Sequence, residues 1–347
     1  MPFFFLGFTL SGLFFGVFIE QFNEKNSLVI GILLILCGSG LCLIEHHPYW
    51  FLVGRTLQGI GSAAFSVIPK AILRRHYTHL AFTRIIALVI TAYGLGLLVS
   101  PPLGGIITHY LDWQTNFYLI IILMFLLLPL TVILLNNDKT ANTKIKAFDL
   151  AQTAKQFIII LKTGQFSLFL IIDALMITIV GILIVMIAFI GQKEFHLNAL
   201  MIAVLYTMTT AGYFIAGALS KTLTSYLNHK QFIFLGAILY LLMAGTVMAN
   251  ELIHFFPLWV FMGALFGIGM ANGFIDVACQ AGAMSLIDKH IGISSALMSV
   301  GPWVISVIFT FILSFFELTT SFWLAFLTFC IGLLIVIIGM KIKNQPI

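Results

Sequence analysis

Long apolar stretches separated by short polar turns make up most of this chain. About eleven of them are long enough to cross a bilayer, which takes ~20 helical residues. They run over residues 2–19, 27–44, 49–70, 83–107, 116–135, 166–190, 199–220, 231–249, 255–282, 293–315 and 320–340. Their side chains are apolar on all sides instead of alternating, which favours helices over a membrane β-barrel. The pattern predicts an all-α polytopic membrane protein.

Basic residues fall almost entirely on one side of the predicted membrane. When the connections are assigned alternately to the two sides, fifteen of the seventeen Lys and Arg residues lie inside. Lys193 lies outside, and Arg55 lies within a span. Basic connections stay in the cytoplasm, so the pattern places the C-terminus inside and Met1 outside. We expect an integral protein of a bacterial inner (plasma) membrane.

Composition narrows the function classes. The residues are 61% apolar and 8% charged, against roughly 25% charged in soluble domains. The net charge of +5 sits at span ends, where it meets anionic headgroups, so we expect no nucleic-acid partner. The nine His residues form no metal-binding pattern, and no nucleotide or nucleophile motif is present. We expect no cofactor, no bound metal and no enzyme activity.

A polar, Lys-rich stretch divides the chain into two predicted helical bundles. The bundles cover residues 1–136 and 165–347, and residues 137–164 form a cytoplasmic linker. The halves look related, because Gly16 and Gly217 are 201 positions apart, as are Pro101 and Pro302. A repeat of helical halves is a transporter architecture with the substrate site between them.

The first half has one span fewer than the second. The second bundle has six predicted spans and the first has five, so we expect that a first helix is missing. Three explanations stay open: the chain is N-terminally truncated, its start is misassigned, or the protein has eleven spans.

A few polar groups lie at membrane depth, where a charged side chain costs about 2.5–3.5 kcal/mol. Arg55 is followed on its helix by Gln58 and Gly59, which suit a helix interface or a cavity rather than lipid. The alternative is an Arg whose side chain reaches the outer headgroups.

Two aspartates lie inside later spans. Asn272, Asp276 and Gln280 recur at steps of four and form one polar stripe, and Asp173 lies on an earlier span. A carboxyl group at this depth can bind and release a proton near neutral pH, because burial disfavours its charged form. The alternative for each is a structural hydrogen bond.

Proline and glycine mark a bend near the outer end of the fourth span. Pro101 and Pro102 remove backbone hydrogen bonds, and Gly104 and Gly105 follow them. Tyr93 lies upstream on the same helix. The bend is a candidate outer gate or simply a packed kink.

Three stretches resemble motifs of the major facilitator superfamily, and especially of the Bcr/CflA drug:proton antiporters. Residues 51–64 are similar to the motif of the family's fourth helix. Residues 100–105, with Asp112, Trp113 and Phe117 after them, resemble the antiporter motif and its following loop. Residues 16–25 occupy the place of the cytoplasmic loop motif, but Glu20 stands there without the family's usual Arg partner.

The resemblance implies two pseudo-symmetric bundles around a central cavity, with twelve helices less the first. It implies export of small, partly hydrophobic compounds in exchange for protons, by a monomer within the bilayer. Arg55, Asp173 and Asp276 would serve proton coupling. The cavity-lining candidates are Gln58, Tyr93, Asn272 and Gln280. The candidate gating and structural residues are Gly16, Glu20, Gly59, Pro101, Pro102, Gly104, Gly105 and Pro302.

Two other functions compete with proton-coupled export. One is a carrier of the same superfamily that moves a metabolite with a different coupling. The other is a truncated remnant that no longer transports, which the absent helix and the altered loop motif favour.

Overall fold

A computed structural model of the protein describes residues 2–21, 23–44, 48–135, 150–253, 257–287, 289–313 and 320–343. Within these ranges the chain is helical throughout, apart from short connections. The helices are α1 (Pro2–Gln21), α2 (Glu24–Cys42), α3 (Pro48–His76), α4 (His79–Tyr110), α5 (Thr115–Leu134), α6 (Leu150–Lys162), α7 (Gly164–Lys193), α8 (Ala199–Leu223), α9 (His229–Leu252), α10 (Leu258–Ser285), α11 (Ile291–Leu313) and α12 (Ser321–Met340).

The predicted spans coincide with every helix except α6. Among the described residues, ten helices are long and apolar enough to cross a membrane, and α1 holds a shorter apolar stretch over Leu6–Val17. The all-α membrane fold with about eleven transmembrane helices is therefore confirmed. α6 lies in the predicted linker, where the sequence analysis expected no helix. The division into bundles at residues 137–164 stays a prediction.

The chain forms two compact units. Unit 1 contains Met1–His76, Pro101–Lys162 and Ile287–Gly301. Unit 2 contains Tyr77–Ser100, Thr163–Leu286 and Pro302–Ile347. The borders within α4 and α11 fall at Pro101 and Pro302, so the two prolines that indicated the repeat also mark where these helices divide.

The packing of unit 1 recurs in unit 2. In unit 1, α3 packs against both α1 and α2, and α2 packs against α5. In unit 2, α10 packs against both α8 and α9, and α9 packs against α12. α7 adds contacts with α10 and α12. On α5, by contrast, Phe117 is the one buried residue among those described.

Glycines bring helix backbones into contact within each unit. A Cβ atom at Gly59 of α3 would overlap the carbonyl oxygen of Phe4 on α1. A Cβ atom at Gly269 of α10 would overlap the carbonyl oxygen of Thr209 on α8. Small residues allow this close approach. In lipid, two apolar helices gain nothing from the hydrophobic effect when they associate, so close van der Waals packing supplies the attraction instead.

A second pair of close contacts repeats with the spacing found in the sequence. A Cβ atom at Gly16 of α1 would lie 2.7 Å from the carbonyl oxygen of Gly292 on α11. A Cβ atom at Gly217 of α8 would lie 2.9 Å from Oγ1 of Thr91 on α4. Gly16 and Gly217 are related by the repeat, and so are Thr91 and Gly292. The equivalent contacts support the pseudo-symmetry of the fold.

The helices continue across the prolines that the sequence analysis singled out. α4 runs through Pro101 and Pro102, and α11 runs through Pro302. Pro302 is buried and Pro102 is exposed. The side chain of Pro101, and the surroundings of Gly105, lie outside what the structure describes.

Two serines of α11 bind the backbone of α3 in unit 1. The hydroxyl of Ser295 donates to the carbonyl oxygen of Val67 (2.6 Å), and that of Ser299 donates to the carbonyl oxygen of Ser66 (3.0 Å). Lys70 Nζ donates in turn to Ser299 Oγ at 3.1 Å. Pro69 lies inside α3 beside these carbonyls, at a place where the helix lacks one backbone donor.

The glycine contacts predict different effects for two substitutions on one helix. We expect Gly269→Ala to destabilise the protein by about 1–3 kcal/mol, because the added methyl group meets the backbone of α8. Gly263→Ala is the matched control, since a Cβ atom there meets nothing within 4 Å. Thermal unfolding of the purified protein in detergent measures both. Equal melting temperatures for the two variants would contradict the close α8–α10 contact.

Candidate functional site

The polar stripe of α10 is connected to three neighbouring helices in unit 2. Tyr240 of α9 donates its hydroxyl to Asn272 Oδ1. Tyr213 of α8 donates to Asp276 Oδ2 at 2.5 Å. Gln280 Nε2 donates to Asp173 Oδ2 of α7 at 3.1 Å. Because the three α10 residues are four positions apart, they lie on one face of the helix, one turn above another.

The two aspartates of this network differ in their access to the surroundings. Asp173 is 1% exposed and is packed between α7 and α10. Asp276 is partly exposed. Both were predicted to serve proton coupling, which stays a prediction; the structure places Asp173 inside the helix packing. Asp276 is therefore the carboxylate that a substrate or a proton from outside the unit reaches more easily.

Glycines position the phenol that binds Asp276. A Cβ atom at Gly212 of α8 would overlap the carbonyl oxygen of Phe266, and one at Gly273 of α10 would lie 2.9 Å from the carbonyl oxygen of Tyr213. The backbones of α8 and α10 are thus in contact beside Tyr213, within one helical turn of Asp276. The close approach places a tyrosine within reach of a short aspartate side chain.

Tyr93 of α4 faces the same carboxylate. Its side chain is 58% exposed, and its phenol lies within electrostatic reach of both Asp276 and Tyr213. A Cβ atom at the adjacent Gly94 would lie 3.0 Å from the backbone of Phe214 on α8, so α4 runs against α8 here. Asp276 therefore accepts a hydrogen bond from one phenol and lies within electrostatic reach of a second one on a different helix.

Arg55 forms a separate cluster in unit 1. Its Nη1 donates to Gln58 Oε1 at 3.0 Å, and Gln58 Nε2 donates to Ser39 Oγ of α2 at 2.8 Å. Its guanidinium carbon lies 5.4 Å from the ring centroid of Phe4 and 6.0 Å from that of Phe117. Cation–π contacts of this kind lower the cost of holding a charge away from water.

The aromatic side of this cluster extends to the loop after α4. Phe51, Trp113 and Phe117 pack edge to face around one another, with centroids 5.8–6.0 Å apart. The rings belong to α3, to the α4–α5 connection and to α5. They brace the helix turn that carries Arg55 from the side on which α5 lies.

The acidic residue that the structure shows on the α1–α2 side is Glu24. Its Oε1 lies 2.6 Å from Arg75 Nη1 at the end of α3. The sequence analysis expected Glu20 to act there, but the side chain of Glu20 lies outside the described residues. Its predicted role in gating stays a prediction.

The other candidate gating positions have varied surroundings. Gly16 and Gly59 lie at close helix contacts, whereas among the described residues a Cβ atom at Gly104 would meet only Asn116 Oδ1, at 3.6 Å. The role of Gly104 in a gate stays a prediction. Within the described ranges, no three His, Cys, Asp or Glu residues are grouped so that they could hold a metal ion.

Several partners of the predicted residues carried no signal in the sequence. Tyr213 and Tyr240 are each one of several aromatic residues of their helices, and Ser39 is one of many small residues. Their importance comes from the helix that each one faces, which periodicity within one helix does not reveal. Which residues face the polar stripe of α10 depends on how the helices pack against one another.

Comparison with known proteins agrees with this architecture. The family model described as Major Facilitator Superfamily matches residues 1–299. An uncharacterized MFS-type transporter, YwfA, of Bacillus subtilis is 23% identical over 100 residues, covering 29% of this chain and 24% of that protein. The multidrug resistance protein MdtL of Klebsiella pneumoniae is 30% identical over 112 residues, covering 32% of this chain and 29% of that protein. The matched segments thus span less than a third of these curated relatives.

A solved structure supports the same fold over nearly the whole chain. The human organic anion transporter MFSD10 (TETRAN) superposes with a TM-score of 0.81 at 14% identity, covering 97% of this chain and 82% of that protein. Such a similarity concerns the fold alone. Together with the family model, which matches well over half of the residues, it shows that the chain belongs to the major facilitator superfamily of transporters.

Proposed function

We propose that this transporter exports small, partly hydrophobic compounds in exchange for protons, as the Bcr/CflA type of antiporter does. The observation that carries the proposal is the partly exposed Asp276 carboxylate, held by the Tyr213 phenol and faced by Tyr93. A carboxyl group at membrane depth exists in two states that are close in free energy, because protonation removes the cost of the buried charge.

The two states of Asp276 suit an exchange cycle. The ionised carboxylate accepts the Tyr213 hydrogen bond and attracts a proton or a polar group of the substrate. Once protonated, it no longer needs that donor, and it offers less attraction to a substrate. Proton and substrate then compete for one group, which is the requirement for antiport.

Asp173 and Arg55 have supporting roles in the proposal. Asp173 is a second protonatable group in the same network, one α10 turn from Asp276 through Gln280. Arg55 holds a fixed positive charge among aromatic rings, and we propose that it serves proton coupling. Gln58 keeps its guanidinium in place, and Asn272 with Tyr240 braces the next turn of α10.

The exposed aromatic surface beside Asp276 fits compounds that are partly apolar. Tyr93 presents an apolar ring with a polar tip, which can contact varied molecules without a fixed set of hydrogen bonds. The likeness to a relative named as a multidrug resistance protein agrees with this class of substrate. We also propose action as a monomer in a bacterial inner membrane, with the C-terminus in the cytoplasm.

Transport assays test the roles of the charged groups. In everted vesicles with an acid interior, addition of ethidium or another transported compound dissipates the pH gradient if the protein is an antiporter. We expect Arg55→Ala and Asp276→Asn each to reduce this response about tenfold or more, a loss of ~1.4 kcal/mol or more in transition-state stabilisation. Export that depends on neither residue would exclude these roles.

Matched controls separate a transport defect from misfolding. Lys193→Ala and Asp112→Asn change exposed charges of the same kinds and should leave the response unchanged. A wild-type protein that dissipates no gradient with any compound, but moves a metabolite, would favour the alternative carrier. A protein that transports nothing would favour the remnant.

The Tyr213–Asp276 hydrogen bond predicts a change in the pH dependence of transport. Tyr213→Phe removes a donor that stabilises the ionised carboxylate, so the pH midpoint of transport should differ from that of the wild type. A hydrogen bond to a charged group is worth roughly 1.5–3 kcal/mol, which is enough to make such a change measurable.

Tyr240→Phe is the matched control for this prediction. It removes the same hydroxyl group from the same network, but the partner is the neutral amide of Asn272. We expect the midpoint of this variant to equal that of the wild type. Equal midpoints for Tyr213→Phe and Tyr240→Phe would refute the special role of the Tyr213–Asp276 pair.

A further inference from the structure

Four of the five tryptophans lie at helix ends that the charge pattern places on the outer side of the membrane. Trp50 and Trp259 lie in the first turns of α3 and α10, Trp323 lies in the first turn of α12, and Trp113 lies two residues before α5 begins. Trp303 lies in the middle of α11. All five belong to the described residues, and none of them lies at a helix end on the cytoplasmic side. The tryptophans are therefore distributed as unevenly as the basic residues, but on the opposite side.

The two units carry these tryptophans at corresponding helix ends. α3 and α10 occupy equivalent places in the packing of their units, and so do α5 and α12. Unit 1 contains Trp50 at the start of α3 and Trp113 beside the start of α5. Unit 2 contains Trp259 at the start of α10 and Trp323 at the start of α12. Each unit thus has its own pair near the predicted outer membrane surface, and we call these four residues the outer tryptophans.

The rings of the outer tryptophans are only partly covered by protein. Their exposed fractions lie between 39% and 70%. Trp113 packs edge to face against Phe51 and Phe117, and Trp323 packs in the same way against Phe326. An indole ring is mostly apolar but carries one N–H donor. The boundary between acyl chains and headgroups suits both parts of the ring, and tryptophan is enriched there in membrane proteins.

The opposite ends of the helices carry a more adaptable kind of side chain. These ends hold most of the Lys and Arg residues of the chain, and such side chains extend along the membrane normal while their charge stays in water. An indole ring moves less, because only two rotatable bonds separate it from the backbone. The outer ends should therefore tolerate displacement relative to the headgroups less well than the cytoplasmic ends do.

We propose that the outer tryptophans bind the headgroup boundary of the outer leaflet and fix the depth of each unit in the membrane. The partner is the layer of glycerol and carbonyl groups of the phospholipids, which accepts the hydrogen bonds of the indole rings. Arg55 lies five residues after Trp50 on α3, a rise of ~7.5 Å, so this contact also holds Arg55 at a constant depth. The proposal uses the predicted outer ends of the helices and does not depend on what the protein transports.

Fluorescence of single-tryptophan proteins in phospholipid vesicles locates each ring. In each full-length variant, one tryptophan is kept and the others are replaced by Phe. Every outer tryptophan should be quenched more strongly by phospholipids brominated near the carbonyl end of the acyl chain than by phospholipids brominated near its methyl end. Trp303 is the matched control, since it lies in the middle of a helix and should show no such preference.

Spin labels on α5 test whether the outer tryptophans set the depth. One label is attached to Ile122→Cys, nearer the outer end, and another to Leu130→Cys, nearer the cytoplasmic end; these positions are 56% and 50% exposed. Ala replaces the native cysteines, which are Cys37, Cys42, Cys279 and Cys330. Accessibility to oxygen and to a water-soluble nickel complex gives the depth of each label in bilayers whose hydrocarbon layers are ~27 Å and ~33 Å thick.

Anchoring at the outer side predicts unequal changes at the two labels. In the thicker bilayer, the label on Ile122→Cys should keep its distance from the outer headgroups, whereas the label on Leu130→Cys should lie ~6 Å farther from the inner headgroups. Replacement of all four outer tryptophans by Phe removes the anchor, so the protein should centre itself and each label should lie ~3 Å deeper. Trp303→Phe should behave like the parent protein.

Three outcomes would overturn the proposal. Quenching of the outer tryptophans that is equal for both lipids, or stronger with bromine near the methyl end, would place the rings away from the headgroup boundary. Equal changes at the two labels in the parent protein, including no change at either, would mean that the outer end is not fixed. Unequal changes that persist without the outer tryptophans would assign the anchoring to other residues. None of these measurements requires transport, so their result is independent of the proposed antiport.

Discussion

The close approach of helix backbones at glycine is the constraint on which the rest of this structure depends. Lipid offers no hydrophobic gain when two apolar helices associate, so their contact must come from dispersion forces between atoms that fit closely. Gly59 allows this contact between α3 and α1, and Gly269 allows it between α10 and α8. These contacts bring the polar groups of each unit within hydrogen-bonding distance of their partners.

The repeat explains why similar contacts serve two different chemistries. In unit 1, α3 carries Arg55 and Gln58 toward α2 and toward the rings of Phe4 and Phe117. In unit 2, α10 has the equivalent neighbours but carries Asp276 toward Tyr213. One packing scheme thus holds a cation among aromatic rings in one unit and a carboxylate among phenols in the other.

The sequence predicted the helices well because hydrophobic length is a local property. All eleven spans have a helix in the structure, and the α10 stripe of Asn272, Asp276 and Gln280 was visible from its period of four. The short helix α6 was not predicted, since thirteen residues that include two lysines are too short for a span and resemble a polar linker. Spacing alone did not identify the close contacts either: among the described residues, a Cβ atom at Gly267 would meet the side chain of Met243, whereas one at Gly263, four positions earlier, would meet nothing within 4 Å.

The candidate site was predictable only in part. A charged residue in an apolar stretch is conspicuous, so Arg55, Asp173 and Asp276 could be found. Their partners come from other helices, and the choice of Tyr213 over any other tyrosine depends on how α8 crosses α10. The burial of Asp173 likewise depends on packing, because its position in the sequence is equally compatible with a cavity.

The serine pair of α11 has a consequence for hydration. Ser295 and Ser299 supply donors to two neighbouring carbonyl groups of α3, next to a proline that interrupts the ladder of that helix. If α11 moved away from α3, the two serine hydroxyls would lose these acceptors, and water would have to accept in their place. Separation of the two helices therefore costs free energy unless water enters between them, so the exclusion of water from this region favours the packed arrangement.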